Sequence, residues 1–249
     1  MRKTRIMHLL IGALVLTGCG AAEKVEWIAV SGSNDFGEWR GPTGDWVVAG
    51  EVFSDPDNEK RLSWKLGHGI LVNGKEGRTK HLVSRDEFGD MTAHVEFMVS
   101  KGSNSGVYFQ GRYEIQILDS WGKAKPKYSD CGGIYQRWRT DKGLKNSERG
   151  YEGKAPNVNA SRPPGEWQTF DVVFRAPRFD TEGNKVANAK FLKVCHNGKL
   201  VHENEEVKGP TRASPYKDEQ PRGPLLLQGD HGPVAYRNVR IRPIVIMGN

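Results

Sequence analysis

GSNSGVYFQGRYEIQILDS, residues 102–120, is the stretch whose alternation decides the fold. It reads as two short strands joined by a tight corner at Gly111 and Arg112. Val107 and Phe109 point one way and Tyr108 and Gln110 the other, because successive strand side chains leave opposite faces. After the corner, Ile115 and Ile117 are expected to face a core, with Glu114 and Gln116 on the opposite side. Leu118 interrupts the polar row and Asp119 the apolar one, so the strand is expected to end or bulge there. A face carrying Tyr, Gln, Glu and Gln differs from a plain solvent face, which runs to Lys, Thr and Ser. An aromatic ring stacks on the C–H face of a sugar, while amides and carboxylates take its hydroxyls. The competing reading is a solvated face with one cross-strand pair.

The same alternation recurs on either side. Met91–Ser100 places Ala93, Val95, Phe97 and Val99 inward, and Thr92, His94, Glu96 and Met98 outward. If it neighbours the two strands above, His94 and Glu96 share a polar face with Glu114 and Gln116. Trp46–Val48 and Gly69–Val72 read as an early strand pair, and His81–Ser84 as a short strand. Ile134–Trp138 and Trp167–Ala176 read as further strands, and Lys190–His202 as a hairpin turning at Asn197-Gly198. Leu225–Gln228 and Val234–Pro243 read as a closing pair joined by Gly229–Pro233. Two long polar loops intervene, 139–166 and 207–224, the second with four prolines; loops of this length are commonly functional. Short strands, abundant glycine and no strong helical periodicity predict an all-β sandwich.

The chain opens on a targeting signal: basic Arg2, Lys3 and Arg5, an apolar run from Leu9 to Leu16, then Leu16-Thr17-Gly18-Cys19. The apolar run is too short to span a bilayer. The last four residues look like a bacterial lipobox, with cleavage before Cys19 and lipidation of its thiol. Residues 1–18 are therefore expected to be a lipoprotein signal peptide, 19–35 the lipidated Cys and a tether, and 36–249 one domain without internal repeat. Several acyl chains anchor stably where one is marginal, so the protein is expected on a membrane of the bacterial envelope, facing the periplasm or cell surface. The formal charge of +7 includes the leader; without Arg2, Lys3 and Arg5, 34 basic residues stand against 30 acidic ones, a net +4. No basic stripe with interleaved aromatics argues for nucleic acid. An exported chain permits a disulfide between Cys131 and Cys195, but two buried free thiols fit as well.

Nucleophile elbow, P-loop and dinucleotide fingerprint are all lacking. What remains is a set of carboxylates, His and aromatics. In Gln228-Gly229-Asp230-His231-Gly232 a His sits between glycines at a corner, with a carboxylate beside it. Such a corner is also an ordinary turn in which Asp and His cap backbone groups. Glu96, Glu114 and Asp119 are the acid–base candidates, or else structural partners of Arg112 and Arg137. Trp121, Tyr135 and Trp167 are candidate sugar platforms, although a Trp in a sandwich is more often core.

Asp86–Asp90, the run from His94 to Gly122, Asp130–Tyr135, Pro163–Asp180, His196–Asn204 and Leu225–Ile244 together resemble the 3-keto-disaccharide hydrolase domain family, in order and over nearly the whole domain. The resemblance implies a concanavalin A-like jelly roll of two antiparallel sheets with a concave sugar-binding face. It also implies cleavage of glycosides whose sugar carries a ketone at carbon 3. That ketone acidifies the hydrogen on carbon 2, so a base, an enolate stabiliser and an acid suffice for elimination followed by hydration. Glu114 or His231 is the expected base. Arg112, Gln116 or a divalent cation near Glu96, Asp119 or Asp230 is the expected enolate stabiliser, no cofactor being otherwise required. Tyr108, Tyr135, Trp167, Gln228 and Asp230 are expected to bind substrate. The same fold also serves non-catalytic carbohydrate-binding modules, the alternative to an enzyme.

Overall fold

Residues 102–120 fold as two antiparallel strands, with Tyr108 opposite Glu114 and Gly106 opposite Gln116. They belong to a computed structural model that describes residues 26–31 and 35–246. The leader and Cys19 lie outside the described residues. In chain order the strands are β1 (Ile28–Ala29), β2 (Val47–Ser54), β3 (Leu62–Val72), β4 (Leu82–Phe88), β5 (Met91–Val99), β6 (Asn104–Phe109), β7 (Tyr113–Leu118), β8 (Arg137–Trp138), β9 (Gly150–Tyr151), β10 (Gln168–Arg175), β11 (Arg178–Phe179), β12 (Lys185–Ala187), β13 (Ala189–His196), β14 (Lys199–Val207), β15 (Gly223–Leu227) and β16 (Val234–Pro243). One helical turn, α1 (Asn146–Arg149), interrupts the first long loop.

Two antiparallel sheets pack face to face as a jelly-roll sandwich. The large sheet runs β14-β13-β10-β5-β16-β3-β2, with β1 also on β16; the small sheet runs β4-β15-β6-β7. Alternation sets what lies between them. Val107, Phe109, Tyr113, Ile115, Ile117, Leu225 and Leu227 come from the small sheet, and Val95, Phe97, Phe170, Val172, Phe174, Phe191 and Tyr236 from the large one. Phe97 packs tilted against Phe170 at 4.7 Å between centroids, and Phe174 lies 5.4 Å from Phe109 and 5.3 Å from Phe191. Each such ring contributes about 1.5–3 kcal/mol by burial. A smaller cluster of Val52, Ile70, Val72, Met98 and Ala235 lies on the other face of the large sheet.

Three expectations change. β5 and β6 are consecutive but lie in different sheets, because the chain turns over at Ser100–Ser103, where Ser103 N donates to Ser100 O at 3.1 Å. His94 and Glu96 therefore face away from Glu114 and Gln116. β15 and β16, expected as a closing pair, also lie in different sheets, so Gly229–Pro233 is a crossing between sheets. The tether is shorter than expected: Ile28 and Ala29 pair with Ile241 and Arg240, and Val30 is buried in the core. Cys131 and Cys195 are free and buried. Among the described residues no helix is long and apolar enough to cross a membrane.

Candidate active site on the outer face of the small sheet

The small sheet is extended at its edges, and the polar side chains of its outer face are buried. β7 gains a neighbour beyond its edge: Gln116 N donates to Gly133 O at 2.8 Å and Tyr135 N to Glu114 O at 3.1 Å. On the other side of β6, Leu226 pairs with Tyr108, and Gln228 N continues the ladder to Gly106 O at 2.9 Å. Tyr108, Glu114, Gln116 and Gln228 thus share one face, and all four are buried. Tyr135 beside Glu114 is half-buried, and its ring packs edge-on against Tyr128 at 5.6 Å.

Glu114 is the electrostatic centre. Burial pushes its carboxyl up to about 8; the Tyr108 hydroxyl that hydrogen-bonds it pulls the other way, and the Asp230 charge adds to the rise. Among the described residues no basic side chain forms an ion pair with it. The Tyr108 phenol is raised in turn, first by burial and then by the Glu114 charge. Room for the carboxylate exists because residue 106 is Gly: a Cβ there would stand 2.4 Å from Glu114 Oε1.

The crossing Gly229–Pro233 brings in the second half. Asn73 is buried and clamps it, donating to Gly229 O at 3.1 Å and Gly232 O at 2.7 Å while its own oxygen accepts from Val234 N at 2.8 Å. His231 Nδ1 lies 2.5 Å from Asp230 Oδ1 and 3.1 Å from the Gln228 amide, which leaves Nε2 for a ligand. The Gln228 side-chain oxygen is buried with no hydrogen-bond partner among the described residues, so a ligand hydroxyl would satisfy it. His231 is exposed and Asp230 partly so, and the site meets solvent at this end. His81 closes the group. It accepts from Gly229 N at 3.2 Å and lies 3.9 Å from Asp230 Oδ1. Burial holds its pKa below the usual imidazole range, against the pull of Asp230.

The structure therefore brings together Tyr108, Glu114, Gln116, Tyr135, Gln228, Asp230 and His231. Arg112 shares the face but is occupied: it donates to Asp218 O and to Gln110 O, and covers the Tyr216 ring at 5.3 Å. Its work is to pin the loop 209–222. Asp119 follows β7 and accepts from Gly102 N at 2.9 Å and Trp121 N at 3.4 Å, shaping the turn there; Trp121 is exposed. Glu96 and Trp167 lie across the sandwich, where Arg237 binds Glu96 at 2.6 Å and covers the Trp167 ring at 4.0 Å. The sequence reading missed His81, Gly106 and Asn73. Only Asn73 carried a signal, an Asn-Gly at a strand end. Among the described residues no three His, Cys, Asp or Glu side chains converge as metal ligands.

The model of the 3-keto-alpha-glucoside-1,2-lyase-like domain matches residues 26–242. The chain belongs to this family. Among solved structures it is similar to a protein of Parabacteroides distasonis ATCC 8503 provisionally named a glycosyl hydrolase, at 25% identity and a TM-score of 0.57, over 88% of this chain and 84% of that one. A second protein of that organism, named likewise, matches at 22% identity and a TM-score of 0.50, over 88% of this chain and all of the other, and so shares the fold. No curated protein matches the chain. Family and relatives make this a carbohydrate-active protein, with the sandwich that its alternation predicted.

Proposed function

We propose that this protein cleaves glycosides whose sugar carries a ketone at carbon 3, by elimination across carbons 1 and 2 followed by hydration. The observation that carries the reading is a buried carboxyl, Glu114, raised to about 8 and feeling the charge of Asp230, which with exposed His231 sits on the crossing at the end of its sheet face. A buried carboxyl that keeps its proton, with an imidazole held by a carboxylate near it, supplies an acid and a base. Glu114 is mostly protonated at neutral pH and donates its proton to the leaving oxygen on carbon 1. His231 Nε2, oriented through Nδ1 by Asp230, takes the proton from carbon 2. The Tyr135 hydroxyl and the second hydrogen of the Gln116 amide, whose first goes to Asn104 Oδ1 at 3.2 Å, are the donors offered to the enolate oxygen, while Tyr108 stays on Glu114. Water then adds across the double bond and completes hydrolysis. Leu16-Thr17-Gly18-Cys19 supports a lipid anchor in the bacterial envelope.

The test is product release from phenyl 3-keto-glucoside and from phenyl glucoside by the purified domain lacking its leader. Cleavage of the keto substrate alone is expected. Binding of both sugars without cleavage of either would overturn the enzyme reading in favour of a binding module.

A further inference from the structure

Beyond His231 lies a cavity of about 250 Å³ whose other charged walls take no part in the elimination. His231, Gly232 and Pro233 form one wall, so it adjoins the end at which the Glu114 face meets solvent. Its remaining charged lining is Lys60, Arg61, Lys75, Arg78 and Lys101 against one carboxylate, Glu76. Two of the five cations are neutralised: Arg61 lies 3.7 Å from Glu76, and Lys101 lies 2.6 Å from Glu59. Among the described residues Lys60, Lys75 and Arg78 have no carboxylate within ion-pair distance. Arg78 Nη1 instead reaches Asp230 O at 3.5 Å, tying this cavity to the loop that carries His231.

Three cations without a carboxylate partner, gathered around one concave space, form an anion site. A cavity of this size takes a carboxylate, sulfate or phosphate together with the carbons that bear it, well short of a whole oligosaccharide. We propose that the cavity is a subsite for an anionic group of the substrate, so that the preferred keto-glycosides are acidic ones. The inference rests on the proposed cleavage for its kinetic form. The shared chemistry is the anion; it can sit on the leaving group or on the keto sugar.

Phenyl, 4-carboxyphenyl and 4-carbamoylphenyl 3-keto-glucosides, and phenyl 3-keto-glucuronide, separate these sources, the carbamoyl compound being a neutral match for the carboxylate. One of the two acidic substrates is expected to show a KM roughly tenfold below its neutral counterpart at low ionic strength, shrinking to within about twofold at about 0.5 M salt. Lys60 and Lys75 are exposed side chains, so the Lys60→Gln/Lys75→Gln double variant is expected to fold normally and to keep its kinetics on the neutral substrates. It loses the acidic preference in KM with kcat little changed. Calorimetric binding of 4-carboxyphenyl glucoside, 4-carbamoylphenyl glucoside, phenyl glucuronide and phenyl glucoside reads the subsite without catalysis. Both acidic ligands binding no better than their neutral partners, or an acidic preference that survives in the double variant, would overturn the subsite. Absence of any cleavage with the binding preference intact would overturn the elimination and leave the subsite standing.

Discussion

The two outer faces of the sandwich carry similar residues and put them to different use. Across the large sheet, His94 binds Asp171 at 2.7 Å, and Glu96 binds Arg237 at 2.6 Å and Asn238 at 2.8 Å. Burial raises Glu96, but the bonds from Asn238 and Arg237 outweigh it and hold the carboxyl below its ordinary value. On the small sheet Glu114 is buried as deeply as core residues, with a phenol and another carboxylate for neighbours. The first arrangement uses up its charges on one another; the second leaves a proton available at neutral pH. Residue type alone does not mark an acid–base site. The partner does.

The largest expected difference between the faces is in rate. Glu114→Gln and His231→Ala each lower kcat/KM on a 3-keto glucoside by about 10²–10⁴-fold, whereas Glu96→Gln stays within about threefold. Comparable losses from Glu96→Gln and Glu114→Gln in folded protein would erase the distinction.

Stability against pH separates the faces next. The folded value of Glu114, about 8, lies above its ordinary 4.5, so the folded protein holds a proton that the unfolded chain releases. Stability therefore falls as pH rises from about 4.5 to about 8, by up to about 5 kcal/mol. Urea melts at both ends of that window are expected to show this fall in the wild type and a much flatter profile in Glu114→Gln.

How far the sequence reached is visible in these residues. Alternation from Gly102 to Ser120 correctly separated Val107, Phe109, Ile115 and Ile117 from Tyr108, Glu114 and Gln116, because strand parity is local. It could not tell which sheet a strand joins, and so it left open a shared face for Glu96 and Glu114 and read Leu225–Gln228 and Val234–Pro243 as a pair. The capture of Arg112 by the loop 209–222 and the approach of His81 to Asp230 join residues over 100 positions apart. Nothing local in the chain announces either.

A smaller effect is expected at Gly106. In Gly106→Ala the new Cβ meets Glu114 Oε1 at 2.4 Å, so the carboxylate must shift; a cost of about 1–3 kcal/mol and a roughly tenfold loss of kcat/KM are expected. Retention of full activity would show that the carboxylate position is not critical.

The smallest effect belongs to the far face. The hydrogen bond to Asp171 raises His94, so the pair stabilises the fold below the ordinary imidazole value and loses its effect as pH rises through the folded one. Asp171 is half exposed, so Asp171→Asn is expected to cost less than about 1 kcal/mol in acid and nothing in alkali. A constant cost at all pH values would mean that His94 does not titrate in this range.

The most direct measurement is the pH dependence of kcat/KM for phenyl 3-keto-glucoside, which reports the acid and base of the free enzyme. A fall in rate as pH rises through about 8, absent in Glu114→Gln, is expected if Glu114 is the buried acid. A rate that climbs through the same range would make the ionised carboxylate the working form and contradict that role.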